Sequence, residues 1–235
     1  MNEMTKPRLA PLKQQSAPLR HQIIATLRKA IELGVLAPGT RLIEKELCAE
    51  LAVSRTSLRE ALRELQAQGI LEYTATRSLA VSAISREDAQ NVYRIRATIE
   101  ALIVEQFIEK ADAAAIEGLA READALKAAY RSGELERIVV AKRDFYDRVC
   151  AGAENPIAFD IINHLVLRTS SLRARSLLRR ERQQESIAEI DALIRAIARR
   201  DVAVARQIAA EHVSHSARSA LDPDQAAHHA TEAVA

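Results

Sequence analysis

Hydrophobic positions in this chain recur at two different periods, and the change between them marks out its parts. Leu19, Ile23, Ile24, Leu27, Ala30 and Ile31 repeat at three- and four-residue steps, which predicts an amphipathic helix stopped by Gly34. Pro38-Gly39 predicts a turn, and Arg41-Leu42-Ile43 a short strand. Glu44 to Leu51 reads as a short helix with Leu47 and Leu51 inward. After a tight Ala52-Val53 connection, Ser54 is placed to cap a helix that runs to near Gly69 and turns Leu58, Ala61, Leu62 and Leu65 to one face. The period then drops to two. Ile70 to Tyr73 and Leu79 to Ser82 alternate as strands, with Thr74 to Ser78 as the hairpin tip between them. Residues 17–83 thus predict three helices and a two-stranded hairpin, the outline of a winged helix-turn-helix.

Past Ser85 every periodic segment is helical. Val92, Ile95, Ile99, Leu102, Ile103 and Phe107 mark the first helix. The second covers about 112–131 and stops at Ser132-Gly133, and the third runs from Glu134 to about Ala151 and stops at Gly152. The fourth opens at Asn155-Pro156 and runs to about Arg179. Ile187, Ile190, Leu193, Ile194 and Ile197 mark the fifth, and Asp201 caps a sixth that ends near Ala220. The fold class is therefore mainly α: a winged helix-turn-helix followed by an all-helical antiparallel bundle over 86–220. Residues 1–16 read as a flexible arm and 221–235 as a disordered tail.

Composition narrows this picture only slightly. Aromatic residues make up 3% of the 235 residues and there are six glycines, which favours packed helices over a β-sandwich. The net charge of +2 says little about partners, but the N-terminal part is the more basic, and a second basic run covers Arg168 to Arg182. The arginines between Leu172 and Arg182 read as a helix end and a solvated face. Cys48 and Cys150 are too far apart to suggest a disulfide framework or a zinc spacing. With no signal-peptide core and no long apolar run, the expected home is the cytoplasm, without a membrane span.

The chemistry concentrates in SRTSLREALREL. Its apolar face packs inward, while Arg55, Ser57 and Arg59 face outward near the helix N-terminus. There Arg can read guanine in the major groove and free N–H groups can hold phosphate. Lys45, on the preceding short helix, is placed to grip the backbone, and Arg77 sits at the hairpin tip, where a wing meets the minor groove. The competing reading is a solvated amphipathic helix with charge pairs such as Arg59-Glu60 and Arg63-Glu64.

The run LGVLAPGTRLIEKELCAELAVSRTSLREALRELQAQGILEY resembles the DNA-binding domain of GntR-type bacterial transcription regulators. The PGTRL turn, E-x-E-L, V-S-R-T-x-L-R-E-A-L-R-x-L and the closing G-I-L occur in order. The resemblance implies a homodimer that binds a palindromic operator in double-stranded DNA through Lys45, Arg55, Thr56, Ser57 and Arg59. One departure stands out: the family's wing carries glycine near its tip, and here the stretch is TATRSLA. VYRIRATIEALI, KRDFYDRVCAGAENP and IAEIDALIRAIARRDVAVARQIAAEH resemble the FCD ligand-binding domain of the FadR branch, in its six-helix version.

Many such domains hold a divalent metal through an Asp, a His four residues on, and two later His. Those positions here are Lys142, Tyr146, Ile190 and His212, of which only the last is a ligand, so no metal and no cofactor is expected. Asp144 is no substitute, because it faces away from Tyr146. In place of a metal, Lys142 and Arg96 could hold a small organic-acid-like effector directly, with Tyr146 and His212 donating to it. Each has a plainer reading: Arg96 paired with Glu100, Lys142 a solvated surface lysine, His212 a core histidine. His215, His228 and His229 read as surface and tail residues.

The function expected is a DNA-binding transcriptional repressor of a metabolic operon, controlled by that effector. The alternative is a DNA-binding dimer whose helical domain only dimerises. An enzyme is not expected, because no nucleophile–base pair or phosphate loop is present.

Overall fold

A computed structural model describes residues 17–222. The arm over 1–16 lies outside them, as does the tail from 223 on, including His228 and His229. The chain forms α1 (Ala17–Glu32), α2 (Glu44–Glu50), α3 (Arg55–Ala67), β1 (Leu71–Tyr73), β2 (Leu79–Val81), α4 (Arg86–Lys110), α5 (Ala113–Ser132), α6 (Leu135–Gly152), α7 (Pro156–Arg168), α8 (Ser170–Leu177), α9 (Arg180–Ala198) and α10 (Val202–Leu221). Local chemistry accounts for most boundaries. Side chains of Ser54, Ser85, Asp112, Asn155 and Asp201 each accept an N–H from the first turn of the helix they precede.

β1 and β2 are antiparallel, with Leu71 opposite Val81 and Tyr73 opposite Leu79. The short strand expected at 41–43 is reduced to one bridge, Arg41 with Ala80, although Leu42 N–H also donates to the Leu79 carbonyl. Ile23, Leu27, Leu58, Leu62, Leu65, Leu71 and Val81 share one core beneath this hairpin, and Leu167 of α7 reaches into it. The helical part has its own core around Phe107, Tyr130, Ile138, Val149 and Ile197. α4 packs mainly on α10, and α5 on α6 and α9. Gly152 permits the approach of α6 to α4: an added Cβ would stand 2.4 Å from the Phe107 ring.

Two expectations are corrected. The helix predicted from Asn155 to Arg179 is broken at Thr169, so this part has seven helices among the described residues, not six. The Thr169 hydroxyl donates back to the Leu165 and Val166 carbonyls, a bond that competes with the helix ladder, and no Gly or Pro announces the break. On α4 the inward stripe is also rotated. Ile95 and Leu102 are 49% and 41% exposed, whereas Arg96 and Glu100 are 3% exposed. The two ions neutralise each other, and that lets charged side chains take inward positions that an apolar count assigns elsewhere.

The two parts touch through α1, which packs on α7 and α8. Glu32 of α1 accepts from Arg143 at 3.2 Å, and Lys29 pairs with Glu136 at 2.5 Å. No helix among the described residues is long and apolar enough to cross a membrane.

Candidate nucleic-acid interface and buried chamber

α3 separates its faces cleanly. Leu58, Ala61 and Leu65 are fully buried and Leu62 nearly so, whereas Arg55, Thr56 and Arg59 are exposed. Ser57 is half-buried and already engaged: its N–H donates to Ser54 Oγ at 3.2 Å, and the two hydroxyls are 3.0 Å apart. Arg59 reaches back to α2, where its Nε donates to Glu44 at 2.8 Å. Lys45, next in the chain, is exposed.

The groove between α3 and the hairpin is lined by Arg41, Arg59, Arg63 and Arg77, together with Tyr73 and Thr76. The sequence reading missed Arg41 and Arg63. The signal for Arg63 was its place one turn beyond Arg59, and for Arg41 its position in the PGTRL turn. Arg77 takes the left-handed backbone conformation, φ 57°, where the family's glycine is expected. A chain of hydroxyls holds this tip: Thr74 and Thr76 are 2.9 Å apart, and Ser78 N–H donates to Thr74 Oγ1 at 3.2 Å.

The second group of candidates lies inside the helical part. Arg96 grips one oxygen of Glu100 through Nε and Nη2 at 3.0 and 2.7 Å, and Tyr146 donates to the other oxygen at 2.5 Å. Burial opposes the charge on Glu100, but Arg96 and the Tyr146 proton together hold its carboxyl below the usual range. Of the two readings of Arg96, the contacts are those of the ion pair.

Lys142 is not a solvated lysine. It is 5% exposed, with Nζ 3.1 Å from Tyr130 Oη and 3.4 Å from His212 Nε2. Desolvation lowers its pKa. The face it occupies is enclosed by α5, α9 and α10, whose packing a local sequence window does not contain.

His212 is held from both sides. Its Nδ1 lies 2.5 Å from Glu189, which fixes the proton on Nδ1 and turns the Nε2 lone pair toward Lys142. Burial first, and then the Lys142 charge, push its pKa down to about 4. Glu189 also receives Arg182 at 2.7 Å and His215 at 2.6 Å. Burial works against its charge, but these donors bring its pKa well below the usual range. Arg182 is 4% exposed, so the basic run is not solvated throughout, and His215 is partly covered rather than free at the surface. Glu100 was read from the sequence as the partner of Arg96, whereas Tyr130, Arg182 and Glu189 were missed as members of this cluster. The only signal was Arg182 and Glu189 standing two helical turns apart.

Lys142, Tyr146, Ile190 and His212, the positions that correspond to the family's metal ligands, do converge on one cavity of about 30 Å³, room for one or two waters. They do not fit a cation. An ammonium group faces the one imidazole lone pair, and buried Ile190 supplies apolar wall.

A winged helix-turn-helix with an exposed arginine face, joined to a helical bundle with a polar interior, defines a DNA-binding regulator. The comparisons agree. The model for bacterial regulatory proteins of the gntR family matches residues 19–81, and the model for the FCD domain matches residues 91–215. The chain belongs to the GntR family of transcriptional regulators, with an FCD domain.

It is 27% identical over 145 residues to the uncharacterized HTH-type regulator YdhC of Bacillus subtilis, across 61% of this chain and 65% of that protein, just under two thirds. It is 27% identical over 156 residues to the HTH-type transcriptional regulator McbR of Escherichia coli, across 66% of this chain and 71% of McbR. The solved structure of E. coli McbR/YncC superposes with a TM-score of 0.74 at 25% identity, covering 84% of this chain and 94% of that one. A regulator from Rhodococcus sp. RHA1 has the same fold, with a TM-score of 0.74 at 19% identity, covering 88% and 99%.

Proposed function

We propose that the chain is a homodimeric repressor of a metabolic operon that binds a palindromic operator and is released by a small acidic metabolite. The observation that carries the DNA part is the outward display of Arg55, Thr56 and Arg59 on α3 above a fully buried apolar face. In this reading Arg55 and Arg59 approach base edges, Thr56 and Lys45 hold phosphates, and Arg77 enters the minor groove. Ser57 acts through the cap it shares with Ser54. Ile95 and Leu102, seven residues apart and both outward on α4, support a dimer contact in the helical part.

The effector reading is supported by the cavity at Lys142, Tyr146 and His212. Arg96 then has a positioning role, because its charge is committed to Glu100. No metal takes part in this proposal. Effector binding shifts a two-state equilibrium toward a dimer in which the two α3 helices no longer match half-sites about one helical turn apart. The route to α3 runs through α8 and α7, which pack against α1.

One observation favours a second reading, a dimer with no effector: the cavity holds about 30 Å³, little more than a water. Thermal melting against a panel of organic acids, followed by operator binding with any acid that shifts the melt, decides between them. A selective rise in melting temperature accompanied by weaker operator binding supports the effector. No shift across the panel leaves the dimerisation role.

A further inference from the structure

Three cations of the winged part have no counter-charge. Arg41, Arg63 and Arg77 are exposed, and none of them makes an ion pair or a side-chain hydrogen bond among the described residues. They face one groove of about 520 Å³ between α3 and the hairpin. One wall carries Arg59 and Arg63, one turn apart on α3. The other carries Arg41, Thr76 and Arg77. Arg41 belongs to the wing side because its backbone bridges to Ala80 of β2. The one carboxylate in the lining, Glu44, is already taken by Arg59 at 2.8 Å.

Like charges on facing walls repel each other, and a cleft lined by one sign of charge gathers the opposite ion. The two walls also say which anion this is. α3 is the element presented to the major groove, and the hairpin tip is the element presented to the minor groove. In B-DNA one sugar–phosphate backbone separates the two grooves. A duplex that takes α3 in one groove and the wing in the next therefore lays that backbone in the cleft between them.

We infer that the groove between α3 and the wing is a cradle for this backbone, with Arg41 and Arg63 each holding one phosphodiester from opposite walls. The inference rests on the DNA reading above and extends it to two residues that read no base. Both are positioning residues. They fix the depth of α3 in the major groove and keep the wing over the adjacent minor groove, so that Arg55 and Arg59 meet base edges.

The test uses the full chain and a fluorescently labelled duplex of arbitrary sequence. Affinity is followed by anisotropy from about 50 to 200 mM NaCl for wild type, Arg41→Gln, Arg63→Gln, Arg41→Lys and the remote charge control Arg131→Gln. Each of the two groove Gln variants should lose about 5- to 10-fold in affinity near 0.1 M salt, and should flatten the slope of log K against log salt by about 0.9, per bound protomer. Arg41→Lys should restore the slope, because an ammonium also holds a phosphate, and Arg131→Gln should match wild type. Selection from a randomised duplex pool should return the same repeat for both groove variants as for wild type, since neither side chain touches a base. Ethylation of phosphates in that repeat, on the strand between the two grooves, should block wild-type binding, and this decides the matter if a variant fails to fold. Slopes equal to the control in both groove variants, or undiminished binding after ethylation there, overturn the cradle while the DNA reading stands. A repeat that changes with Arg41 or Arg63 overturns their positioning role. A wild type that binds no duplex removes the DNA reading and the cradle with it.

Discussion

The arginines of α3 and those of the helical bundle are the same side chain put to opposite uses. On α3, Arg55 and Arg59 stand in solvent, and Arg59 makes only an exposed contact with Glu44, where both side chains keep more than a third of their surface. Such contacts add little to stability and are readily exchanged for a phosphate or a base. In the bundle, Arg96 and Arg182 are 3% and 4% exposed and locked to carboxylates. Those pairs fix the positions of Tyr146 and His212 and are not easily given up. Exposure therefore separates arginines available to a partner from arginines that shape a cavity, which charge counting along the sequence does not do.

The contrast breaks most sharply at Glu100. Glu100→Ala leaves Arg96 buried without a partner and should cost about 3–5 kcal/mol, read by denaturant unfolding. Removing the exposed partner instead, with Glu44→Ala, should leave stability within about 0.5 kcal/mol. Similar losses for both variants would erase the distinction.

Acid provides the next largest effect. The pKa of His212 lies below its ordinary value in the folded chain, at about 4 against 6.5. The unfolded chain therefore binds the proton more readily. The stability from a neutral His212 is complete above about pH 6.5 and is lost as pH falls toward 4, by up to about 3 kcal/mol. Glu189, also depressed, continues the loss at lower pH. Melting temperature followed from pH 7 to 4 should fall, and His212→Gln should flatten that fall.

On the exposed side, Arg55→Ala should weaken specific operator binding about 10- to 100-fold, measured by fluorescence anisotropy, without shifting the melting temperature. Arg77→Gly should show the smallest change. It relieves a left-handed backbone for a gain of at most about 1 kcal/mol, while lowering DNA affinity modestly and the salt slope by roughly one. A loss of stability in Arg77→Gly would mean that the hydroxyl chain at Thr74, Thr76 and Ser78 depends on the arginine.

How much of this could be read from the sequence follows the same division. α3, its Ser54 cap and the hairpin were legible, because the apolar period and the capping residue are local signals. The pairing of Arg96 with Glu100 was legible from their spacing of one turn, but the outward turn of Ile95 and Leu102 was not, since an apolar count places both inward. The break at Thr169 was hidden for a related reason: a hydroxyl bond to its own helix replaces the Gly or Pro that usually marks an end. Lys142, Arg182 and Glu189 come from α6 and α9, so their meeting around His212 exists only in the packed bundle.

The most direct test of the central claim is selection from a randomised double-stranded DNA pool with wild type and with the double variant Arg55→Ala, Arg59→Ala. The account predicts that wild type enriches an inverted repeat with half-sites about one helical turn apart, and that the folded variant enriches nothing. Enrichment of the same repeat by the variant would contradict it.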